Sequence, residues 1–255
     1  MKSQWECVLQ NLGEWDGSFT HILPCGEIVE DIPSHISLTS NDDRSSIHLV
    51  LTRFYPATAG STELVPQEMA IDLNAPGAGA LFFETGAFSE GGIYFTSRIK
   101  FGAEFCLITP AQDRRLRLVQ MFDDTGLFHR LTLIREQRQG SEAPERPPLL
   151  LDDLIGNWQG EAVTLKPQRT ESKTVTIETT LKARLEFECG DLDYRTLLLP
   201  DGAYSTCPIQ IRSNTAFFME IGWLIAPNQR QRLIREYDAA GNWIALMLVM
   251  ETRNL

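Results

Sequence analysis

No apolar run in this chain is long enough to cross a bilayer as a helix. The longest, residues 243–250, has 8 residues, where roughly 20 are needed. Nor does a continuous apolar core follow Lys2, so no secretory signal is expected. The five cysteines, Cys7, Cys25, Cys106, Cys189 and Cys207, are odd in number and show no CxxC spacing. That excludes a disulfide framework or a cysteine zinc site and points to a reducing, cytoplasmic setting. Basic residues are outnumbered, 23 against 34 acidic, for a net charge of −11. Such a field repels phosphate backbones and anionic lipid, so nucleic acid and a membrane span are not expected among the partners.

The common enzyme signatures are missing too. There is no Gly-x-Ser-x-Gly elbow, no Walker loop, no His-Glu-x-x-His and no GxGxxG opening a helix. The four histidines, His21, His35, His48 and His129, fit no short metal motif; no metal site is expected and no cofactor is named. Acidic pairs such as Asp42-Asp43 and Asp123-Asp124 sit in turn-like sequence, where they serve turns and solubility. The glycines of residues 77–92 precede neither a lysine nor a helix, so tight turns explain them better than a phosphate cradle.

What the chain does have is itself, twice. The segment ending at Arg138 reappears as the one ending at Arg253, with Gly126 matching Gly241, both offset by 115 (241 − 126 and 253 − 138). Residues 86–89, GAFS, answer GAYS at 202–205, and Leu107-Ile108-Thr109-Pro110 answers Leu224-Ile225-Ala226-Pro227. Gly13-Glu14-Trp15-Asp16-Gly17 answers Gly156-Asn157-Trp158-Gln159-Gly160. A period above 100 residues is too long for a solenoid, so each copy should bury its own core. With 43% hydrophobic residues the chain has enough apolar mass for both.

The Pro- and charge-rich stretch 139–148 reads as a linker between copies at 1–138 and 149–255. Each copy opens with a short helical turn. Period-two alternation then predicts strands over residues 47–54, 93–100, 116–122, 127–135, 175–181, 184–187 and 209–211. Turn residues at 123–126, 200–202 and 238–241 suit hairpins in an up-and-down meander. No long segment keeps helical period. The expected fold is all-β, with two tandem antiparallel barrels closed to remove their edges.

A short helix entering Gly-x-Trp, then a meander ending on a late arginine, resembles the lipocalin or calycin barrels. The resemblance implies that Trp15, with Arg135 or Arg138, and Trp158, with Arg253, close the narrow barrel ends, a cation lying over each ring. The tandem arrangement, opening NLGEWDGSF at residues 11–19, is similar to a lipocalin-like family of unknown function from cyanobacteria and plastids. It implies a fold and no established activity.

Parity along the late hairpin of the first copy puts Leu116, Leu118, Phe122, Leu131 and Leu133 inward and Arg115, Arg117 and Arg130 outward. The inward polar exceptions are Gln120, His129 and Arg135, matched by Arg235, Ile244 and Met250 in the second copy. Gln120, His129 and Arg235, with the aromatics Phe122 and Tyr237, are therefore the candidate ligand contacts; pairing among themselves or with water is the alternative. In the second copy the opposite parity, Ile234, Trp243, Met247 and Val249, is apolar as well, which implies cover from the other barrel or a second subunit.

The leading functional expectation is a binding protein holding a hydrophobic small molecule, such as a lipid, carotenoid or tetrapyrrole, in a barrel. Large residues such as Phe19, Phe83, Phe122 and Trp223 would instead fill the lumen if it is a packed core. The alternative is an enzyme without a motif; hydratases, cyclases and bilin lyases share the resemblance. A third reading is an assembly factor using the apolar outer face of the second copy.

Overall fold

The computed structural model describes residues 2–58, 60–167, 169–181, 188–189 and 192–254. Nine strands form the first sheet: β1 (Gly13–Ile22), β2 (Ile28–Ser40), β3 (Ile47–Pro56), β4 (Leu64–Leu73), β5 (Ala80–Phe82), β6 (Phe88–Gly91), β7 (Phe101–Ile108), β8 (Arg114–Phe122) and β9 (Phe128–Arg138). Eight form the second: β10 (Gly156–Lys166), β11 (Arg169–Leu181), β12 (Glu188–Cys189), β13 (Leu192–Leu198), β14 (Ala203–Pro208), β15 (Phe217–Ala226), β16 (Gln229–Tyr237) and β17 (Trp243–Thr252). Each is an antiparallel meander in which the first strand also pairs with the last, β1 with β9 and β10 with β17. The predicted strand at 184–187 lies outside the described residues.

Closure does not follow. The first sheet runs β4-β3-β2-β1-β9-β8-β7-β6-β5, and among the described residues no ladder joins β4 to β5. It nevertheless curls, because Phe82 and Phe88 of β5 and β6 share one core with Ile36 and Leu51 of β2 and β3. A capped helix, α1 (Gln4–Val8), plugs one end. Its Ser3 hydroxyl accepts from the Glu6 amide while the Glu6 carboxylate accepts from the Ser3 amide. The second sheet opens with only a 3-10 turn, Leu151–Asp153.

Neither predicted strand 93–100 nor 209–211 forms a strand of its sheet: residues 97–98 turn, and Ile209 alone bonds within its own sheet, to the Asp193 carbonyl. Each crosses to the other sheet's last hairpin, in matching fashion. The Phe95 amide donates to the Gly241 carbonyl and Trp243 to Ile93, at 2.8 and 2.9 Å; Ile211 donates to Gly126 and Phe128 to Ile209, again at 2.8 and 2.9 Å. These are equivalent residues, offset by 115 or 116 (241 − 126, 211 − 95), so the sheets meet about a pseudo-twofold axis, like an isologous dimer in one chain.

The seam inverts the expected faces. Leu116, Leu118 and Phe122 of β8 belong to one buried core with Leu233, Tyr237, Leu246 and Leu248 of β16 and β17, so they point across the seam and not into the first sheet's interior. Arg115 and Arg117 point inward instead. In the second copy, register sets Ile234 opposite Met247 and Arg232 opposite Val249 on the concave side, so Ile234, Met247 and Val249 are not the covering face. Trp243 does lie on the seam, shifted there by the irregularity between Glu236 and Tyr237. A face buried against another sheet is as apolar as any interior, so alternation alone does not say which side is which.

Candidate functional site

In each copy the tryptophan of the Gly-x-Trp sequence is fully buried and lies between two arginines. Arg115 and Arg138 stand 4.5 and 4.3 Å from the Trp15 ring centre; Arg230 and Arg253 stand 4.4 and 4.6 Å from that of Trp158. The indole N–H donates four residues back in both copies, Trp15 to the Asn11 carbonyl and Trp158 to that of Leu154. Of the two arginines considered for Trp15, Arg138 reaches it, donating to the Leu12 and Gln112 carbonyls. Arg135 faces away, paired with Asp31 and Glu145.

Below each ring sits a duplicated ion cluster. Arg115 and Arg117 grip Glu136, and Arg117 also binds Glu104 at 2.8 Å; Arg230 and Arg232 grip Glu251, with Arg232 3.4 Å from Glu220. Burial alone would raise the Glu136 carboxyl, but Arg115 and Arg117 outweigh it and hold the group down to about 2. Burial opposes the charge of Arg117, yet Glu136 and Glu104 raise its pKa. The cluster is a saturated structural core with no group free for chemistry in the first copy.

The candidate ligand residues lie elsewhere than a lumen. Gln120 is fully buried at the seam, donating to the Ser205 hydroxyl at 2.7 Å and to the Glu220 carbonyl at 3.1 Å. Arg235 is its counterpart, donating to Tyr237 and to the carbonyls of Gly79 and Gly92, with its guanidinium 3.5 Å from the Trp243 ring centre. Burial lowers the Arg235 pKa and raises that of Tyr237. Phe122 and Tyr237 pack with Phe101 in the same aromatic cluster, while His129 is exposed on β9. Ile244 and Met250 are exposed too. Of the residues weighed as lumen fillers, Phe83, Phe122 and Trp223 fill the seam; Phe19 lies inside the first sheet.

The first sheet leaves part of its concave face uncovered, a cup walled on one side by β3 and β4. Register sets Leu49 opposite Ile71, Leu51 opposite Met69, Arg53 opposite Gln67 and Tyr55 opposite Val65, all on the concave face. Leu51 is 6% exposed, but Val65, Met69 and Ile71 are 45, 44 and 41% exposed, because no strand pairs with the outer edge of β4. Phe19, on β1, faces this wall, with Arg53 5.0 Å and Arg117 5.7 Å from its ring centre. At the mouth, His21 accepts from or donates to Thr132 at 3.0 Å. Its pKa is lowered by burial, with Arg130 and Arg53 adding to the effect against Glu30. The sequence signal for this wall was present in the alternation Val65, Gln67, Met69, Ile71, Leu73, but β4 was not among the predicted strands.

A second concavity, a groove of about 580 Å³, lies between the sheets beneath residues 143–147, against Arg114, Trp223 and Ile225. In it Arg114 holds Asp201 in a two-pronged pair at 2.9 and 2.7 Å and donates to the Pro144 carbonyl.

Among the described residues no group of His, Cys, Asp or Glu could hold a metal ion, and no helix is long and apolar enough to cross a membrane. The N-terminal model of a domain of unknown function, DUF3598, matches residues 1–141. The C-terminal domain model of "biogenesis factor required for ATP synthase 1" matches residues 145–184 and 171–254. A crystal structure of a DUF3598 protein of unknown function from Nostoc punctiforme is 37% identical, with TM-score 0.85 over 100% of both chains. An S-type phycobiliprotein lyase from Guillardia theta is 10% identical over 100% of this chain and 94% of its own, with TM-score 0.21, too slight a likeness to bear on function. No curated protein matches.

Proposed function

The chain belongs to the DUF3598 family, and we propose that it is a binding protein for a hydrophobic small molecule, a lipid, carotenoid or tetrapyrrole, held in the cup of its first sheet. The observation that carries this reading is the apolar concave face of β4. Val65, Met69 and Ile71 continue the row of buried Leu51 and half-buried Leu49 and yet meet solvent. Leaving that surface bare costs about 25 cal/mol for each Å², and a guest laid along it would recover the cost. The seam supports the reading in another way: Gln120 and Arg235 donate across it to the other sheet, so it is scaffold, and it holds the first sheet's shape without a closing ladder. The barrel-like curl and the plugged narrow end agree with a lipocalin-like mode of binding.

The test uses N-phenyl-1-naphthylamine, a neutral apolar fluorophore. Its emission should rise to saturation at one molecule per chain, and Met69→Arg or Ile71→Arg should abolish the rise while circular dichroism stays unchanged. Saturable emission that survives both substitutions would move the site out of the cup; no emission from the wild type would sink the binding reading.

An assembly-factor reading takes its support from the name of the family model matching the second half. Against it, the second copy's hairpin face of Leu233, Leu246 and Leu248 is already covered by the first sheet.

A further inference from the structure

The cations on the first sheet's concave face are not alike. Arg115 and Arg117 are held by Glu136 and Glu104. Arg53 is not. It is half-buried on the concave face of β3, and among the described residues its one hydrogen bond goes to the neutral Tyr55 hydroxyl, at 3.3 Å. Its guanidinium lies over the Phe19 ring, in no ion pair among the described residues. The guanidinium of Arg117, 5.7 Å from the same ring centre, is consumed by its glutamates. From Arg53 toward the end plugged by α1 the wall is apolar, through Leu51 and Met69 to Leu49 and Ile71. Within a chain of net charge −11, this is a cation set where the apolar lining begins.

A half-buried guanidinium with free donors favours a planar oxyanion, which it grips with two parallel N–H bonds. A partly water-excluded setting strengthens that attraction over its value at an open surface. We propose that the cup takes a long-chain carboxylic acid, its carboxylate on Arg53 beside the Tyr55 hydroxyl and its chain along Leu51, Met69 and Ile71. This rests on the cup being the binding site and adds the chemistry of the head group.

The experiment titrates the full chain with cis-parinaric acid and, separately, its methyl ester, both kept below their aggregation concentrations. The wild type should bind the acid about tenfold tighter than the ester. Arg53→Met should bring the acid to the ester's affinity and leave the ester unchanged, and Arg53→Lys should restore part of the preference. Equal affinity for acid and ester in the wild type, or a preference that persists in Arg53→Met, would overturn the head-group assignment while leaving the cup standing. Failure of both probes to bind would overturn the cup as well. A thermal melt of Arg53→Met within a few degrees of wild type shows that lost preference is not lost fold; should it melt early, Tyr55→Phe together with Arg53→Lys must show a graded loss of acid preference, and its absence counts against the proposal.

Discussion

Gln120 and Arg235 are equivalent residues of the two copies (235 − 120 = 115) that reach across the seam in opposite directions to equivalent serines. Gln120 donates to Ser205 at 2.7 Å; Arg235 lies 3.3 Å from Ser89. Replacing Arg235 with methionine would remove four donated hydrogen bonds from the dry interface, to Tyr237, Ser89 and the Gly79 and Gly92 carbonyls, and the cation over the Trp243 ring. A loss of at least about 2 kcal/mol in urea denaturation is expected, with apolar-probe binding in the cup retained by the folded fraction. A variant as stable as wild type would show the seam to be looser than its hydrogen bonds suggest.

Gly126 and Gly241 stand where the seam's strands cross, at φ +81° and +89°, and a Cβ on either would lie 2.6 Å from a carbonyl oxygen of the other sheet. Gly140 shares the conformation, φ +82°, with nothing near it. Gly140→Ala should therefore cost about 1 kcal/mol from backbone conformation alone, and Gly126→Ala clearly more. Equal costs would mean that the close approach relaxes freely.

Removing the Trp15 or Trp158 side chain should cost about 3 to 5 kcal/mol through the cavity left between paired arginines. Thermal melts of the two alanine variants would check this. Arg138→Met should be destabilising and Arg135→Met nearly neutral, since only the first of these arginines covers the ring.

The Glu136 carboxyl is held down to about 2 by Arg115 and Arg117, well below the ordinary carboxylate range. A depressed carboxyl stabilises the fold fully above its unfolded pKa, and the contribution fades as pH falls through the folded one. Stability should thus drop between about pH 5 and 2, and Glu136→Gln should flatten part of that slope while being less stable at pH 7. His35 behaves oppositely. Hydrogen bonding to Asp16, and then to Glu14, raises its pKa against burial, so its stabilisation is complete below its unfolded value of 6.5 and fades as pH rises through the folded one. An unchanged acid slope in Glu136→Gln would locate acid sensitivity elsewhere.

The duplication, the all-β class and the meander were legible because turn residues and alternation are local signals. Which face of β8 and β16 turns inward was not. Leu116 and Leu118 look like core because they are core, but of the seam, whereas Arg115 and Arg117 look like surface and are interior because Glu136 and Glu104 neutralise them. The copy-to-copy comparison held a clue: Arg115, Arg117 and Glu136 recur as Arg230, Arg232 and Glu251 at identical spacing. Likewise residues 93–100 and 209–211 read as strands, but neither is one: 93–95 and 209–211 bond to the other copy, and 97–98 turn. Alternation reports that a residue is covered and never by what. The cup was missed for the converse reason, since its wall is apolar and exposed, a combination visible only once β4 is known to have no outer neighbour.

The most direct test of the cup is photolabelling with an apolar diazirine-bearing alkyl probe, followed by peptide mapping of the full chain. The account predicts that label concentrates in residues 47–73, on the strands that carry Leu51, Arg53, Met69 and Ile71, and that excess unlabelled fatty acid displaces it. Label concentrated instead around Arg114, Arg146 and Trp223, in the groove between the sheets, or spread evenly over the surface, would contradict it.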